Sequence, residues 1–531
     1  MEFNLKVQKI ILLLLLLLVY APLVAQVDTA WVKRFAGSAN NSDEGYDLAI
    51  DKNGNIFVTG YSTSSDSAED ITTIKYNSNG DTLWVRTYDG PGNGMDIAMA
   101  LALDDSGNTY VTGYSLGSGT NFCYSTIKYD SLGDTLWVRH YNGPANAGDR
   151  AYAIAVDDSG NVYVTGFSVG AGTTDYLTIK YSPTGDTLWT RRYDGPGNSY
   201  DYPYAIAVDT SRNVYVTGLS IGSGTNHDYA TLKYNSNGDL AWVRRYNGPG
   251  NYLDDAYDLA VDNNGNVYVT GFSVGLGSAV DDYATIKYNS IGDSLWTRRY
   301  NGPGSGGDEA FAIAVDNTGN VYVTGYSDAE TGAAVNLDYL TIKYSAIGDT
   351  LWTRRYNGPG NGNDEAYAVA VDDSENIYVT GYSDRDPSAA LNQDYATVKY
   401  AADGTLEWVT RYDGPSDSGD VAYALAVDDS GNVYVTGRSR GKGSGYDFAT
   451  IKYIPLACVA KAGDANNDND VLLSDVVTTI NLIFRFQPLP PPACRADANA
   501  DGKVLLTDVI YLINFIFKAG PLPVKNRECC L

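Results

Sequence analysis

Residues 295–344 read LWTRRYNGPGSGGDEAFAIAVDNTGNVYVTGYSDAETGAAVNLDYLTIKY and hold four short apolar segments. Leu295–Tyr300 is the first. Ala310–Val315 (AFAIAV) alternates small and large apolar residues. Asn320–Thr324 (NVYVT) follows the turn Asp316-Asn317-Thr318-Gly319, and Tyr339–Tyr344 (YLTIKY) is the fourth. β-branched and aromatic residues between Gly, Pro and Asn/Asp turns predict strands. The turn has Asp first and Gly last, as tight β-turns prefer. Four strands in roughly 50 residues make one propeller blade.

The stretch recurs along the chain. All eight tryptophans fall at one repeat position: Trp31, Trp84, Trp137, Trp189, Trp242, Trp296, Trp352 and Trp408. Their gaps are 53, 53, 52, 53, 54, 56 and 56 residues, and the Val-Thr-Gly motif ending at Gly60 through Gly437 keeps step with them. A β-solenoid would need shorter, simpler coils, so an all-β propeller is expected. The small-residue strand fits the crowded axis and is placed innermost, which puts the Trp strand outermost. The chain starts on an outer strand, Thr29–Phe35, and ends on a third strand, Ala449–Tyr453. The first can therefore complete the last blade. The expectation is an eight-bladed propeller of four-stranded blades, with seven blades as the alternative.

Composition narrows the function classes. A formal net charge of −27 disfavours nucleic acid and anionic membrane surfaces, which attract clustered Lys and Arg. Lys6 and Lys9, the apolar run Ile10–Val19, Pro22 and the small-residue end Leu23-Val24-Ala25 read as a cleavable signal peptide over 1–25. This predicts a secreted protein, extracellular or held at the cell surface. No later segment is apolar enough to span a bilayer. Cys123 is the only cysteine of the repeats; Cys458, Cys494, Cys529 and Cys530 gather at the other end of the chain and suggest disulfides of open connectivity.

Repetition favours architecture over chemistry. Each unit carries a Lys before its last Tyr (Lys75 through Lys452), and seven carry an Asp at the start of that strand, with Cys123 in its place in one. The outer strand carries Arg, as in Arg298 and Arg299. Pairing across neighbouring strands, with alkyl stems over the Trp, accounts for these charges. Acids after the Gly-Pro-Gly loops (Asp43-Glu44, Asp254-Asp255, Asp308-Glu309, Asp364-Glu365, Asp420) are expected to rim one face near the channel. There they would hold a cation or a polyhydroxylated ligand, or simply be solvated. His140 and His227 are the only histidines and read as one-off replacements. No Cys/His or Ser/His constellation recurs, so no catalytic residue is expected, although a carboxylate pair acting on a glycoside stays open.

The pattern A-x-A-V-D-x-x-G-N-V-Y-V-T-G, then D-Y-x-T-I-K-Y, then G-D-T-L-W-x-R-R-Y-[DN]-G-P-G resembles the bacterial beta-propeller (SBBP) repeat family over residues 29–453. The resemblance implies exported proteins that use the propeller as a binding platform. It also implies seven blades, from which eight copies depart.

The sharpest chemical signal lies beyond the repeats. Asp464, Asn466, Asp468, Asp470 and Asp475 fall in one twelve-residue loop; Asp497, Asn499, Asp501, Lys503 and Asp508 fall in another, 33 residues later. Oxygen side chains at positions 1, 3, 5 and 12, with the carbonyl of position 7 (Asp470, Lys503), are the EF-hand arrangement for calcium, so two ions are expected. Position 6 calls for a left-handed backbone and holds Gly502 in one loop, Asn469 in the other. Each loop runs into a predicted helix, Asp475–Phe484 and Asp508–Phe517, and neither has a clear entering helix. Such paired units resemble a type I dockerin, here over 462–523. The resemblance implies calcium-dependent folding and a cohesin-like partner held by the helix faces. Positions 10 and 11, which help select the cohesin in that family, are Leu473-Ser474 and Leu506-Thr507; Leu departs from the usual small polar residue. Dockerin termini lie close together, which would let Cys458 pair with Cys529 or Cys530 and leave Cys494 the other.

The expected organisation is therefore a signal peptide (1–25), propeller (26–453), linker (454–461), dockerin-like calcium-binding domain (462–523) and tail (524–531). The expected function is secreted binding and scaffolding, with a glycan or protein on the propeller face. The alternative is an enzyme or component of a polysaccharide-degrading, glycoside hydrolase assembly.

Overall fold

The computed structural model describes residues 27–455 apart from short loop stretches, together with 473–485 and parts of 507–516. Two compact units divide the chain, and Thr29–Tyr453 forms one of them. This unit consists of eight four-stranded antiparallel sheets, each one blade. Blade six runs from inside to outside through Asp308–Val315, Val321–Asp328, Leu337–Tyr344 and Thr350–Tyr356. Its inner strand packs beside those of blades five and seven, and the eight inner strands close a ring. Blade number and strand order agree with the repeat pattern.

Closure follows the expected route. Val27–Phe35 joins the edge of Tyr446–Pro455, so the last blade is made from both ends of the repeat region. Arg34 donates to Asp447 at 2.6 Å and to the Ser439 carbonyl at 2.8 Å. The core is distributed in slabs between blades rather than gathered at one centre. One slab sets Tyr268 and Trp296 of blade five against Ala310, Ile313, Val321, Val323, Leu340 and Ile342 of blade six. At the closure, Trp31 and Phe35 pack beside Leu48, Ile56 and Ile74 of blade one and Tyr434 and Phe448 of blade eight.

The repeated polar residues clasp the blades, partly as expected and partly not. Six blades pair the Asp of the third strand with the Arg that precedes the last aromatic residue of the outer strand, as in Asp282–Arg299 at 2.6 Å. The Lys does not join that pair. Lys287 and Trp296 of blade five both donate to the Ala346 carbonyl in the next blade's turn, at 2.9 and 3.3 Å. Arg298 lies over the Trp296 ring and donates to the Gly348 carbonyl of the same turn at 2.5 Å. A turn carbonyl presented by the neighbouring blade is a better partner for a long cation than a cross-strand carboxylate already held by Arg.

In the second unit, the predicted Asp475–Phe484 helix is observed as Leu473–Arg485. Val476, Ile480 and Ile483 pack with Val509, Leu512, Ile513 and Ile516. These sit at i, i+4, i+7 spacing on each side, one helical stripe facing another. No helix among the described residues is long and apolar enough to cross a membrane.

Candidate functional site

The inner strands carry three stacked layers at the end of the channel where the Gly-Pro loops lie. The outermost is a ring of eight aspartates: Asp43, Asp96, Asp149, Asp201, Asp254, Asp308, Asp364 and Asp420. All are buried. Each accepts the N–H of its loop glycine, as Asp364 does from Gly358 and Asp308 from Gly302, both at 2.7 Å. Five of the nine acids expected at the rim are thus internal loop support. The reason is that the inner strand starts two residues earlier than its apolar pattern shows, at Asp308 rather than Ala310. Burial pushes the carboxyls of Asp43, Asp254, Asp308 and Asp420 up to about 6 and that of Asp364 to about 7.

The next layer breaks the symmetry. Around the ring the residues are Glu44, Ile97, Arg150, Tyr202, Asp255, Glu309, Glu365 and Val421. Glu309 accepts from Tyr326 Oη at 2.6 Å and Tyr257 Oη at 3.4 Å. Glu365 accepts from Tyr382 at 2.7 Å and Tyr367 at 2.9 Å. Glu44 pairs with Arg438 at 3.3 Å, and Asp255 with His227 Nδ1 at 3.0 Å. Arg150 lies over the Tyr114 and Phe122 rings, 4.6 and 4.7 Å from their centroids. Burial, then the charges of Asp281 and Glu365, raise the Glu309 carboxyl; the Tyr326 hydrogen bond opposes them. The hydrogen bond to Asp255 raises the His227 imidazole.

Below this lies an aromatic girdle that the repeat pattern did not announce. Every inner strand carries a β-bulge one residue further on, as between Ala310 and Ala312, and a bulge re-aims its side chain. The bulged residues are Tyr46, Met99, Tyr152, Tyr204, Tyr257, Phe311, Tyr367 and Tyr423. From Tyr152 round to Tyr46 successive rings touch, with centroids 5.4–6.1 Å apart. Met99 of blade two is the single interruption. Next to the girdle, Asp47 and Asp258 stand in blades one and five, opposite each other in a ring of eight. Each keeps some surface open but sits deep in the protein mass. Asp258 accepts from Leu259 N and from Ile313 N of the next blade, at 2.8 and 2.9 Å. Burial takes Asp47 to about 6 and Asp258 to about 7 against those bonds.

Blade two departs a second time. Cys123 and His140 occupy the positions of the Asp and Arg that pair in six other blades, again 17 residues apart. Sγ and Nδ1 are 3.8 Å apart; Nδ1 is also 3.0 Å from Ser125 Oγ, and Nε2 is 2.8 Å from Tyr88 Oη. Burial raises the Cys123 thiol and lowers the His140 imidazole. This pair was missed because both residues look like isolated exceptions until the hairpin brings them together. Among the described residues, three blade junctions also gather three aspartates with ligand atoms within 4.8 Å, such as Asp175, Asp194 and Asp201. In that triad Arg192 supplies a positive charge at 2.7 Å from Asp175.

The calcium positions Asp464, Asn466, Asp468, Asp470, Asp497, Asn499, Asp501, Lys503 and Asp508 lie outside the described residues. Asp475 falls in the helix Leu473–Arg485, but its side chain is outside them too. The four clustered cysteines likewise lie outside.

Fold and layered mouth together define an eight-bladed propeller with a uniform frame and a varied channel entrance. The chain carries beta-propeller repeats: the SBBP beta-propeller repeat matches in seven segments, 30–66, 139–168, 188–224, 241–273, 295–330, 351–387 and 407–443. The copy without a match is the one that supplies the first strands of blade two. An uncharacterized WD repeat-containing protein of Acanthamoeba polyphaga mimivirus is 22% identical over 513 residues, covering 68% of this chain and 36% of its own length. The regulatory protein FlaEY of Caulobacter vibrioides is 24% identical over 439 residues, covering 70% of this chain and 44% of its own. The chain therefore spans less than half the length of either relative. Among solved structures, Sqt1 from Chaetomium thermophilum is similar with a TM-score of 0.48 at 8% identity, over 81% of this chain and 100% of that one.

Proposed function

We propose that the protein is an exported binding and scaffolding protein. Its propeller takes a ligand at the loop-side mouth, and its C-terminal unit is a calcium-dependent docking element. One observation carries the propeller reading: the layer above the aromatic girdle changes in chemistry from blade to blade, from Glu and Asp to Arg, Tyr, Ile and Val, around a largely repeated frame. A frame held constant around one varied polar layer is the arrangement of a recognition site, with apolar walls and a few placed polar groups. The chemistry suits a glycan, whose ring faces stack on tyrosines and whose hydroxyls donate to Glu309 and Glu365. The docking reading rests on the two calcium loops and on matching helical stripes 33 residues apart. Its partner would be a cohesin-like protein.

The test is glycan-array binding by the full chain, followed by calorimetry with Tyr257→Ala and Glu309→Gln. Saturable binding that both variants weaken supports the reading. A blank array with capture of a protein partner instead would assign the mouth to protein. Release of reducing ends from a bound glycan would favour the alternative, an enzyme of a polysaccharide-degrading assembly.

A further inference from the structure

At two junctions the first residue of a third strand meets the varied layer of the next blade in a complementary pair. His227 of blade four lies 3.0 Å from Asp255 of blade five, and the Phe122 ring of blade two lies under Arg150 of blade three. At the junction of blades five and six the same two places hold Asp281 and Glu309, both carboxylates. Burial first, then repulsion from Asp281, raise the Glu309 carboxyl. Among the described residues neither has a Lys or Arg partner, and Glu309 is held by the hydroxyls of Tyr326 and Tyr257. Gly307 leaves a cradle beside them. A Cβ there would lie 3.5 Å from Asp281 Oδ2 and 4.0 Å from Tyr326 Oη, in ordinary contact. Other blades put Ser, Met, Tyr, Leu or Asn at that place, or a glycine (Gly148, Gly419) that meets no carboxylate. Like charges facing an open cradle, where other junctions pair opposites, call for a cation from outside the chain.

We propose that this cradle binds the protonated primary amine of an amino sugar, so that the mouth selects glycans with free amino groups. The inference rests on the reading of the mouth as a glycan site. A primary ammonium group has three N–H donors. The cradle offers Asp281 Oδ2, a Glu309 carboxylate oxygen, and the Tyr326 Oη lone pair left once that hydroxyl donates to Glu309. Bonds from an ammonium to carboxylates are charge-assisted and about twice as strong as neutral ones. A quaternary ammonium has no N–H to give these oxygens, and an N-acetylated amine has no charge to set between two carboxylates. Tyr257 of the girdle reaches Glu309 with its hydroxyl, so its ring lies next to the cradle as a face for the sugar that carries the amine. Further round the rim Tyr200 and Tyr252 are 55% and 50% exposed, and Tyr200 stacks on Tyr202 with centroids 6.5 Å apart. These rings suit a glycan of several sugars rather than a single one.

Calorimetry of the full chain with β-1,4-linked hexasaccharides of glucosamine, N-acetylglucosamine and glucose tests this. The glucosamine form should bind about tenfold tighter than the other two, the worth of a hydrogen bond to a charged group. A net charge of −27 attracts any polycation, so the deciding variant changes no charge. Gly307→Ala fills the cradle and should bring the glucosamine form down to the affinity of the glucose form; Asp281→Asn should do the same. Equal binding of the three glycans overturns the amine site and leaves the glycan reading standing. A glucosamine preference that survives Gly307→Ala overturns the site as well. Binding of none of the three overturns the glycan reading and this inference together. A lysine-rich peptide that displaces the glucosamine form, and loses that ability in Gly307→Ala, would give the cradle to a protein amine instead.

Discussion

The glycine of each Val-Thr-Gly motif stands where a carbonyl arrives. A Cβ added at Gly325 would overlap the Glu309 carbonyl oxygen, because the bulge brings the inner strand close. The same collision recurs at Gly60, Gly271 and Gly381 against Glu44, Asp255 and Glu365. The residue is required by proximity and not by a left-handed φ. Gly325→Ala should therefore cost about 1–3 kcal/mol, the usual range for forcing atoms into a packed site. Denaturant unfolding reads this directly; a variant as stable as the parent would mean that the bulge yields. Ala256 or Ala310, a strand away, offers no such constraint, which is why the motif keeps one glycine per blade.

At the level of the strand, Val27–Phe35 does what no other element can. It pairs with Tyr446–Pro455, seats Trp31 and Phe35 between blades eight and one, and supplies Arg34 to Asp447. Lys452 and Trp31 then clasp the Ser78 carbonyl of blade one at 3.0 and 3.2 Å, as Lys287 and Trp296 do one junction at a time elsewhere. Removing residues 27–35 should expose the edge of Tyr446–Pro455 and loosen blades eight and one by roughly 4 kcal/mol, taking partial burial of the two aromatic side chains. Hydrogen exchange should show the loss confined to those two blades, and a peptide of residues 27–35 should restore it. Uniform exchange across all eight blades would show that closure does not depend on this strand.

Across the whole molecule, the carboxylate population sets the response to pH. Asp43, Asp254, Asp258, Asp308, Asp364 and Asp420 have folded values of about 6 or 7, raised first by burial. Between about pH 4 and pH 7 the folded state holds protons that the unfolded chain has released, so stability falls as pH rises through that window. The turn aspartates Asp104, Asp157, Asp262 and Asp316 are lowered: burial, the largest influence on each, pushes upward and is outweighed by their combined hydrogen bonds. Their contribution is lost below about pH 4. The propeller transition should thus be highest near pH 4–5 and lower at pH 8, and Asp258→Asn should flatten the slope. A midpoint that climbs from pH 5 to pH 8 contradicts this. Chelation separates the two units: EDTA should abolish a calorimetric transition of residues 462–523 and leave the propeller transition in place. A trace unchanged by chelator would count against calcium.

Blade count, strand order and closure were legible because they rest on local, repeated patterns. The inner strand keeps a small, alternating pattern such as AFAIAV in most copies, and Thr29–Phe35 is a Trp strand with no blade before it. Periodicity and turn chemistry act within a few residues, so a linear reading captures them. The mouth was legible only in part. Glu44, Asp255, Glu309 and Glu365 belong to the varied layer, whereas their neighbours Asp43 and Asp308 accept the loop glycine N–H as supports, a distinction made by where the strand begins. The girdle depends on a bulge that shifts register by one residue, and periodicity does not reveal that shift. The reach of Lys287 to Ala346 and of Tyr88 to His140 crosses from blade to blade, some 50 residues apart in sequence. The meeting of Cys123 and His140 needs the hairpin to be folded. These were decided by packing, because only packing brings distant backbone carbonyls and side chains within bonding distance.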